Sequence, residues 1–137
     1  MRKLILFIFL MISSLSFSQD IDWKQKALES TDPDEKIECY TKLIDEGNAE
    51  KDIYLFRGEV RFSMKDYKEA VSDYDKAIGL DPVYIEAYIN RALVRIRLGD
   101  FQGAMSDCNK AIGIDPKNAA AYVNRGEVKF WMKDQDI

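Results

Sequence analysis

The sequence predicts an all-α protein in which pairs of antiparallel helices repeat along the chain. Residues 54–66 return 68 residues later as residues 122–134, with nine identities in thirteen positions. Residues 51–84 and 85–118 align without a gap and share 14 of 34 residues. Self-similarity at a fixed period indicates stacked copies of one structural unit, so this period predicts a solenoid of helical hairpins.

Two helices are predicted within each repeat. In the second half of the first full unit, Ala70, Tyr74 and Ala77 have the spacing of one helical face. That helix ends at the dipeptide Asp81-Pro82, and its counterpart ends at Asp115-Pro116, because proline cannot continue a helix. Seven helices are expected, with breaks near Asp32, Gly47, Lys65, Pro82, Gly99 and Pro116.

Both full units carry an aromatic residue, a small residue four positions later, and then alanines and a late proline. The matching residues are Tyr54, Gly58, Ala70, Tyr74, Ala77 and Pro82, followed by Tyr88, Ala92, Ala104, Ala111 and Pro116. This pattern resembles the tetratricopeptide repeat family, although Cys108 replaces the late aromatic residue of the second unit. The resemblance implies a right-handed superhelix of hairpins with a concave groove. It also implies a non-catalytic protein that binds another polypeptide.

The resemblance extends beyond the two full repeats, at residues 51–84 and 85–118. Residues 19–50 form a divergent N-terminal repeat, as terminal repeats often are. Residues 119–137 form a half repeat, which is either a capping helix or the start of a further unit in a longer protein. Self-association through this half repeat is the alternative to partner binding.

Residues 1–18 have the pattern of a secretory signal peptide. Arg2 and Lys3 precede nine apolar residues, 4–12, and Ser16 and Ser18 provide small side chains at the cleavage positions. The apolar run is too short to cross a bilayer, which needs about 20 residues. We therefore expect cleavage after Ser18, export to the periplasm or the medium, and no membrane attachment afterwards. A retained membrane anchor is the alternative.

The composition argues against catalysis and against nucleic-acid binding. The chain has no histidine, which is the commonest general base and metal ligand. Its two cysteines, Cys39 and Cys108, are too few for a zinc site and are expected to be buried free thiols. The net charge of −4 gives no general attraction for nucleic acids or anionic membranes. No enzymatic activity, cofactor or metal is predicted.

A basic stripe follows the first helix of each repeat. It begins at Arg57, Arg91 and Arg125, and each arginine is followed four residues later by another basic residue. A buried guanidinium needs partners, so we expect a structural ladder of salt bridges to Asp73 and Asp107 in the second helices. A site for an anion or an acidic peptide is the alternative.

A second stripe occupies the positions that line the concave groove in the resembled family. Its apolar centre lies between Glu59 and Glu127, which predicts a ligand with alternating aliphatic and basic residues. Packing between adjacent helices is the alternative for these side chains. The predicted groove residues are Leu55, Glu59, Ile89, Asn90, Leu93, Val123, Asn124 and Glu127.

Two asparagines of this stripe, Asn90 and Asn124, each precede an arginine. They resemble the subset of the family that holds a partner's C-terminal carboxylate. That subset requires lysines on the first helix, where this chain has Leu55 and Glu59. The sequence therefore favours an apolar and basic ligand over a C-terminal carboxylate.

Overall fold

The computed structural model describes residues 23–135, and these residues form seven α-helices and no β-strand. Every predicted break falls between two of the helices, so the predicted all-α fold of helical hairpins is confirmed. The predicted signal peptide, residues 1–18, lies outside the described residues. None of the described helices has the length and apolar character needed to cross a membrane.

The helices are α1 (residues 23–29), α2 (Pro33–Asp45), α3 (Lys51–Ser63), α4 (Tyr67–Leu80), α5 (Ile85–Leu98), α6 (Phe101–Ile114) and α7 (Ala119–Gln135).

Capping residues in short turns set several of these bounds. Asp32 accepts a hydrogen bond from the Asp34 N–H at 3.0 Å and so caps the start of α2. Asp100 caps α6 in the same way through the Gly103 N–H, at 3.0 Å. Gly99 ends α5 in the left-handed region with φ of 77°, a conformation that glycine adopts without steric cost. These turns reverse the chain within a few residues.

The described residues divide into two compact units, and the first, which ends at residue 49, contains α1 and α2. Trp23 donates a hydrogen bond from Nε1 to Glu46 at 3.2 Å, and the Lys42 ammonium lies 4.1 Å from the centre of the Trp23 ring. These contacts join α1 to α2 within the unit. Its buried apolar side chains are Ala27, Cys39, Tyr40 and Leu43.

The second unit, residues 50–137, contains α3 to α7. Lys51 pairs with Asp81 at one end of the α3–α4 hairpin. Phe62 and Tyr67 meet at the other end, with ring centroids 5.8 Å apart, so the two helices run antiparallel. Helices α5 and α6 form the next hairpin, and α7 contacts both of them. The first helices of successive repeats, α3, α5 and α7, are therefore neighbours.

Close packing within the α3–α4 hairpin depends on a glycine. Gly58 faces the ring of Tyr74 so closely that a Cβ atom there would lie 2.7 Å from a ring carbon. Tyr74 is buried in a cluster with Ala70 and Ala77 of the same helix. Gly58 thus occupies the helix contact predicted for it, and the equivalent residue of the next hairpin, Ala92, is fully buried.

Candidate functional site

The basic stripe forms a buried ionic cluster in the first full repeat. Arg57 on α3 donates from Nη2 to the Asp73 carboxylate at 2.7 Å and from Nε at 3.1 and 3.2 Å. Arg61, one helical turn later, donates to the same carboxylate at 2.7 Å. Asp73 on α4 is only 1% exposed. The predicted pairing of Arg57 with Asp73 is therefore present, and it joins the two helices of the hairpin.

The same cluster recurs in the second full repeat. Arg91 donates from Nη2 to Asp107 at 2.6 Å, and Arg95 donates from Nη1 to the other carboxylate oxygen at 2.8 Å. Arg91 also reaches back to Asp75 at 2.6 Å. Asp107 is 2% exposed. Because these arginines are engaged by buried aspartates, the structure favours the salt-bridge ladder over an open anion site.

The prediction that Arg125 belongs to the ladder is wrong. Its guanidinium donates to the Asn109 side chain at 3.2 Å and lies over the Tyr122 ring. No acidic side chain within residues 23–135 forms an ion pair with it. The physical reason is positional, since Arg57 and Arg91 receive their aspartates from the second helix of their own repeat. Within the described chain, α7 has no such helix.

The prediction that Leu55 lines a groove is also wrong. Leu55 is 5% exposed and packs in the cluster that contains Tyr74 of α4 and Ala87 and Val94 of α5. Helix α5 therefore covers it. The alternative of packing between adjacent helices therefore holds for Leu55, whereas Ile89, the equivalent residue of α5, is only half-buried although α7 follows it.

Five of the other predicted groove residues, all except the two asparagines, form what we call the first-helix strip. Ile89 and Leu93 on α5 are half-buried, and Val123 on α7 is 68% exposed. The acidic residues of the strip lie at the positions equivalent to Leu93 on the neighbouring helices. The strip comprises Glu59, Ile89, Leu93, Val123 and Glu127.

Both acidic residues of the strip accept hydrogen bonds from the helix next to them. Asn90 donates from Nδ2 to Glu59 at 3.1 Å, and Arg97 pairs with Glu127 at 2.9 Å. The Asn90 partner is neutral, so Glu59 keeps its negative charge uncompensated, whereas Arg97 neutralises Glu127. Sequence reasoning missed Arg97 in this role. No local pattern indicated this pair, because the two residues lie 30 positions apart on different first helices.

Asn124 was predicted to bind a ligand, but the structure uses it otherwise. It is 8% exposed, and its side-chain amide donates to the backbone oxygen of Ile89 at 3.2 Å. That bond ties α7 to α5. Asn124 is therefore a structural residue, because its side-chain N–H group binds the backbone of α5 and not a ligand.

Both cysteines are unpaired and buried, as predicted. Burial raises the pKa of the Cys108 thiol to about 11 and also raises the pKa of Cys39. The thiolate is the nucleophilic form of cysteine. Neither residue is thus activated for nucleophilic chemistry at neutral pH.

Two family models match the full repeats. Residues 85–118 match a model described as a tetratricopeptide repeat, and residues 58–99 match one described as a TPR repeat. Together these matches span residues 58–118, which include all of the second full unit and most of the first. Residues 58–118 are therefore similar to tetratricopeptide repeats.

Solved tetratricopeptide domains have a similar fold. The second such domain of human RPAP3, in complex with the HSP70 peptide SGPTIEEVD, has a TM-score of 0.76 and 26% identity, covering 83% of this chain and 98% of that one. The first domain of Spaghetti (RPAP3), bound to the HSP90 peptide SRMEEVD, has a TM-score of 0.76 and 23% identity, covering 86% and 93%. The crystal structure of MamA has a TM-score of 0.71 and 26% identity, covering 76% and 61%. The fold is thus an all-α solenoid of helical hairpins.

Proposed function

We propose that this chain is a protein-interaction module that binds a peptide or a partner helix on the first-helix strip. The observation that carries the proposal is the partial exposure of Ile89 and Leu93 on α5, beside the uncompensated carboxylate of Glu59. Contiguous apolar patches with a polar rim on a protein surface typically mark binding sites, and Ile89 and Leu93 lie one helical turn apart on the same face of α5. Tetratricopeptide domains solved with bound peptides support the same class of function.

The charges of the strip select the ligand. Among the described residues, the hydrogen-bond partner of Glu59 is the neutral amide of Asn90, so a lysine or arginine of the ligand fits beside it. Glu127 is already neutralised by Arg97, which makes it the weaker anchor. Aliphatic ligand side chains would cover Leu93 and Val123. The sequence predicted a ligand with alternating aliphatic and basic residues. We now propose that a basic residue of this ligand binds next to Glu59.

This ligand differs from the acidic peptides in the similar structures. The HSP70 and HSP90 peptides there end in EEVD. An acidic segment placed along the strip would face the like charge of Glu59, and like charges in close contact are unfavourable. We therefore expect this chain to discriminate against peptides of the EEVD type.

A direct test compares two labelled peptides by fluorescence anisotropy, one of alternating leucine and lysine and the other SGPTIEEVD. We expect saturable binding of the first peptide and none of the second. Leu93→Asp should abolish binding while leaving the melting temperature almost unchanged. Leu80→Asp is the matched control, because Leu80 is 55% exposed on α4, away from the strip.

Two outcomes would overturn the proposal. Tighter binding of SGPTIEEVD than of the basic peptide would show that the charge argument is wrong. Loss of both binding and thermal stability in Leu93→Asp would identify Leu93 as a core residue, and the strip would then not be a binding surface.

The pH dependence of binding offers an independent check on Glu59. The pKa of its carboxyl is raised because neighbouring groups displace water, and the hydrogen bond from Asn90 acts in the opposite direction. As the pH falls through this raised pKa, the carboxyl becomes neutral and a basic ligand loses its partner. Affinity should therefore decrease on acidification, and Glu59→Gln should remove that dependence.

Self-association through the C-terminal half repeat is the second candidate function. The exposed aromatic residues of α7 favour it, since Phe130 is 66% and Trp131 is 41% exposed. Sedimentation velocity at several protein concentrations separates the two candidates. Self-association predicts a dimer in the absence of any peptide, whereas peptide binding on the first-helix strip predicts a monomer.

We propose in addition that the protein is exported after removal of residues 1–18. The proposal is based on the charged, apolar and small-residue order of that segment. Expression of the full chain followed by intact-mass measurement of the periplasmic fraction and the medium should give a species that begins at Gln19. A full-length species confined to the membrane fraction would instead identify a retained anchor.

A further inference from the structure

One face of α7 carries the same residue types that hold the second helix in the first full repeat. Four of the α3 residues at these positions contact α4, and the fifth, Tyr54, packs against the core cluster that contains Tyr74. Each has an equivalent on α7 two repeat periods later, 68 residues along the chain. We call this surface of α7 the terminal face. It comprises Tyr122, Arg125, Gly126, Lys129 and Phe130, the equivalents of Tyr54, Arg57, Gly58, Arg61 and Phe62.

On α3, the equivalent surface is covered by α4. The contacts between the two helices show which side chains pack on it. Gly58 is buried under the Tyr74 ring, so close to it that a Cβ atom there would force the ring to shift. The Asp73 carboxylate lies between two guanidiniums. Phe62 meets the ring of Tyr67, the first residue of α4. The occupant of this surface is thus a helix with a defined order of aromatic, acidic and small residues.

On α7, the equivalent surface is open. A Cβ atom at Gly126 would have no heavy atom within 4 Å, and Phe130 is 66% exposed. Tyr122 is 43% exposed. Arg125 and Lys129 form no ion pair with any acidic side chain in the described part of the chain. The terminal face therefore exposes aromatic side chains and two cationic side chains beside the open space at Gly126.

We propose that the terminal face binds an amphipathic helix of another polypeptide that carries the α4 pattern. In that pattern an aromatic residue is followed by alanine three positions later, by an aspartate-tyrosine pair after three more, and then by a second alanine. The aspartate lies between Arg125 and Lys129, and the tyrosine ring lies over Gly126. The alanines allow the two backbones to approach closely.

A second copy of this chain does not provide such a helix. Among the described helices, α4 carries the full pattern and α6 carries it with Cys108 in place of the tyrosine, and both already pack on α3 and α5 through Asp73 and Asp107. Two terminal faces packed on each other would bring Arg125 and Lys129 of both copies together, and four cations in contact repel. Charge complementarity thus favours an acidic partner helix over a dimer.

The experiment uses a synthetic peptide with the α4 sequence, residues 67–80, acetylated, amidated and labelled with fluorescein. It is titrated with the full chain and followed by fluorescence anisotropy. Isolated helices of this length are only marginally stable in water, so the affinity will be modest. We expect saturable 1:1 binding with a Kd below about 1 mM.

Three variants locate the binding site. Arg125→Glu should weaken binding at least tenfold, since it places a carboxylate against the aspartate of the peptide. Lys76→Glu makes the same change in charge at an exposed position of α4 and should leave binding unchanged. A peptide with Asp73→Arg should bind the Arg125→Glu protein better than the unchanged peptide does. Circular dichroism verifies that both protein variants fold.

Several results would overturn the proposal. One is the absence of saturation at about 1 mM protein. Another is equal affinity of the Arg125→Glu and Lys76→Glu proteins, which would mean that the peptide binds elsewhere, for example by displacing α4 from α3. A peptide-free dimer that Arg125→Glu dissociates would assign the terminal face to self-association. The terminal face and the first-helix strip share no residue, so failure of one proposal leaves the other intact.

Discussion

Replacing Asp107 by alanine tests whether the ionic clusters between paired helices are structural. Asp107 on α6 accepts hydrogen bonds from Arg91 at 2.6 and 3.0 Å and from Arg95 at 2.8 Å. Its side chain is 3% exposed, whereas those of Arg91 and Arg95 are 14% and 22% exposed. Removal of the carboxylate therefore leaves two cations largely out of water without their shared anion.

The magnitude follows from burial and from the partners that remain. Breaking a buried ion pair by removing one partner costs about 3–5 kcal/mol. Arg91 keeps its contact with Asp75, and Arg95 keeps a 3.6 Å contact with Asp100. Because both arginines also retain some solvent, we expect the lower end of the range, about 3 kcal/mol.

The assay is urea unfolding followed by circular dichroism, with Asp75→Ala as the matched control. Asp75 contacts the same arginine but is 51% exposed, so its loss should cost about 0–1 kcal/mol. The denaturant slope should stay constant in both variants, because a change in slope would indicate an altered unfolding transition. Equal costs for Asp107→Ala and Asp75→Ala would refute the argument from burial.

Two further predictions concern packing and thiol reactivity. Gly58→Ala should destabilise the protein by about 1–2 kcal/mol, because overpacking against Tyr74 outweighs the better helix propensity of alanine. Gly126→Ala, the same change at an open position, should stabilise it by about 0.5–1 kcal/mol, and thermal melts of both variants measure the difference. Iodoacetamide should modify Cys108 of the folded chain only slowly at pH 7. The rate should keep rising with pH beyond the usual thiol range, because the thiolate forms only near pH 11; a plateau near pH 9 would contradict the stated burial.

The helix ends and the ionic clusters were predictable from the sequence because their determinants are local. Asp81-Pro82 ends α4 by the chemistry of proline itself. The pairing of Arg57 with Asp73 joins residues only 16 positions apart, across one short turn of a hairpin. Once two antiparallel helices and their turn are identified, the register of such a pair follows. The same reasoning predicted the contact at Gly58.

The binding surface was only partly predictable because it depends on contacts between repeats. Leu55 and Asn124 were both assigned to a groove, and neighbouring first helices bury both. The Arg97–Glu127 pair spans 30 residues and joins α5 to α7 across the whole of α6, so its geometry depends on how each first helix is rotated against the next. The repeat period alone does not specify that rotation.

The sequence by itself determined the 34-residue repeat, the helices and the charges that pair within a hairpin, since these depend on residues close along the chain. Only the tertiary structure decided which equivalent positions are core and which are surface. Leu55 and Val123 occupy the same position of the repeat, yet Leu55 is 5% exposed and Val123 is 68% exposed. The physical reason is that α5 covers Leu55, whereas no helix within the described residues covers Val123. Burial at these positions depends on whether a neighbouring helix packs over them, and the local sequence pattern carries no information about that neighbour.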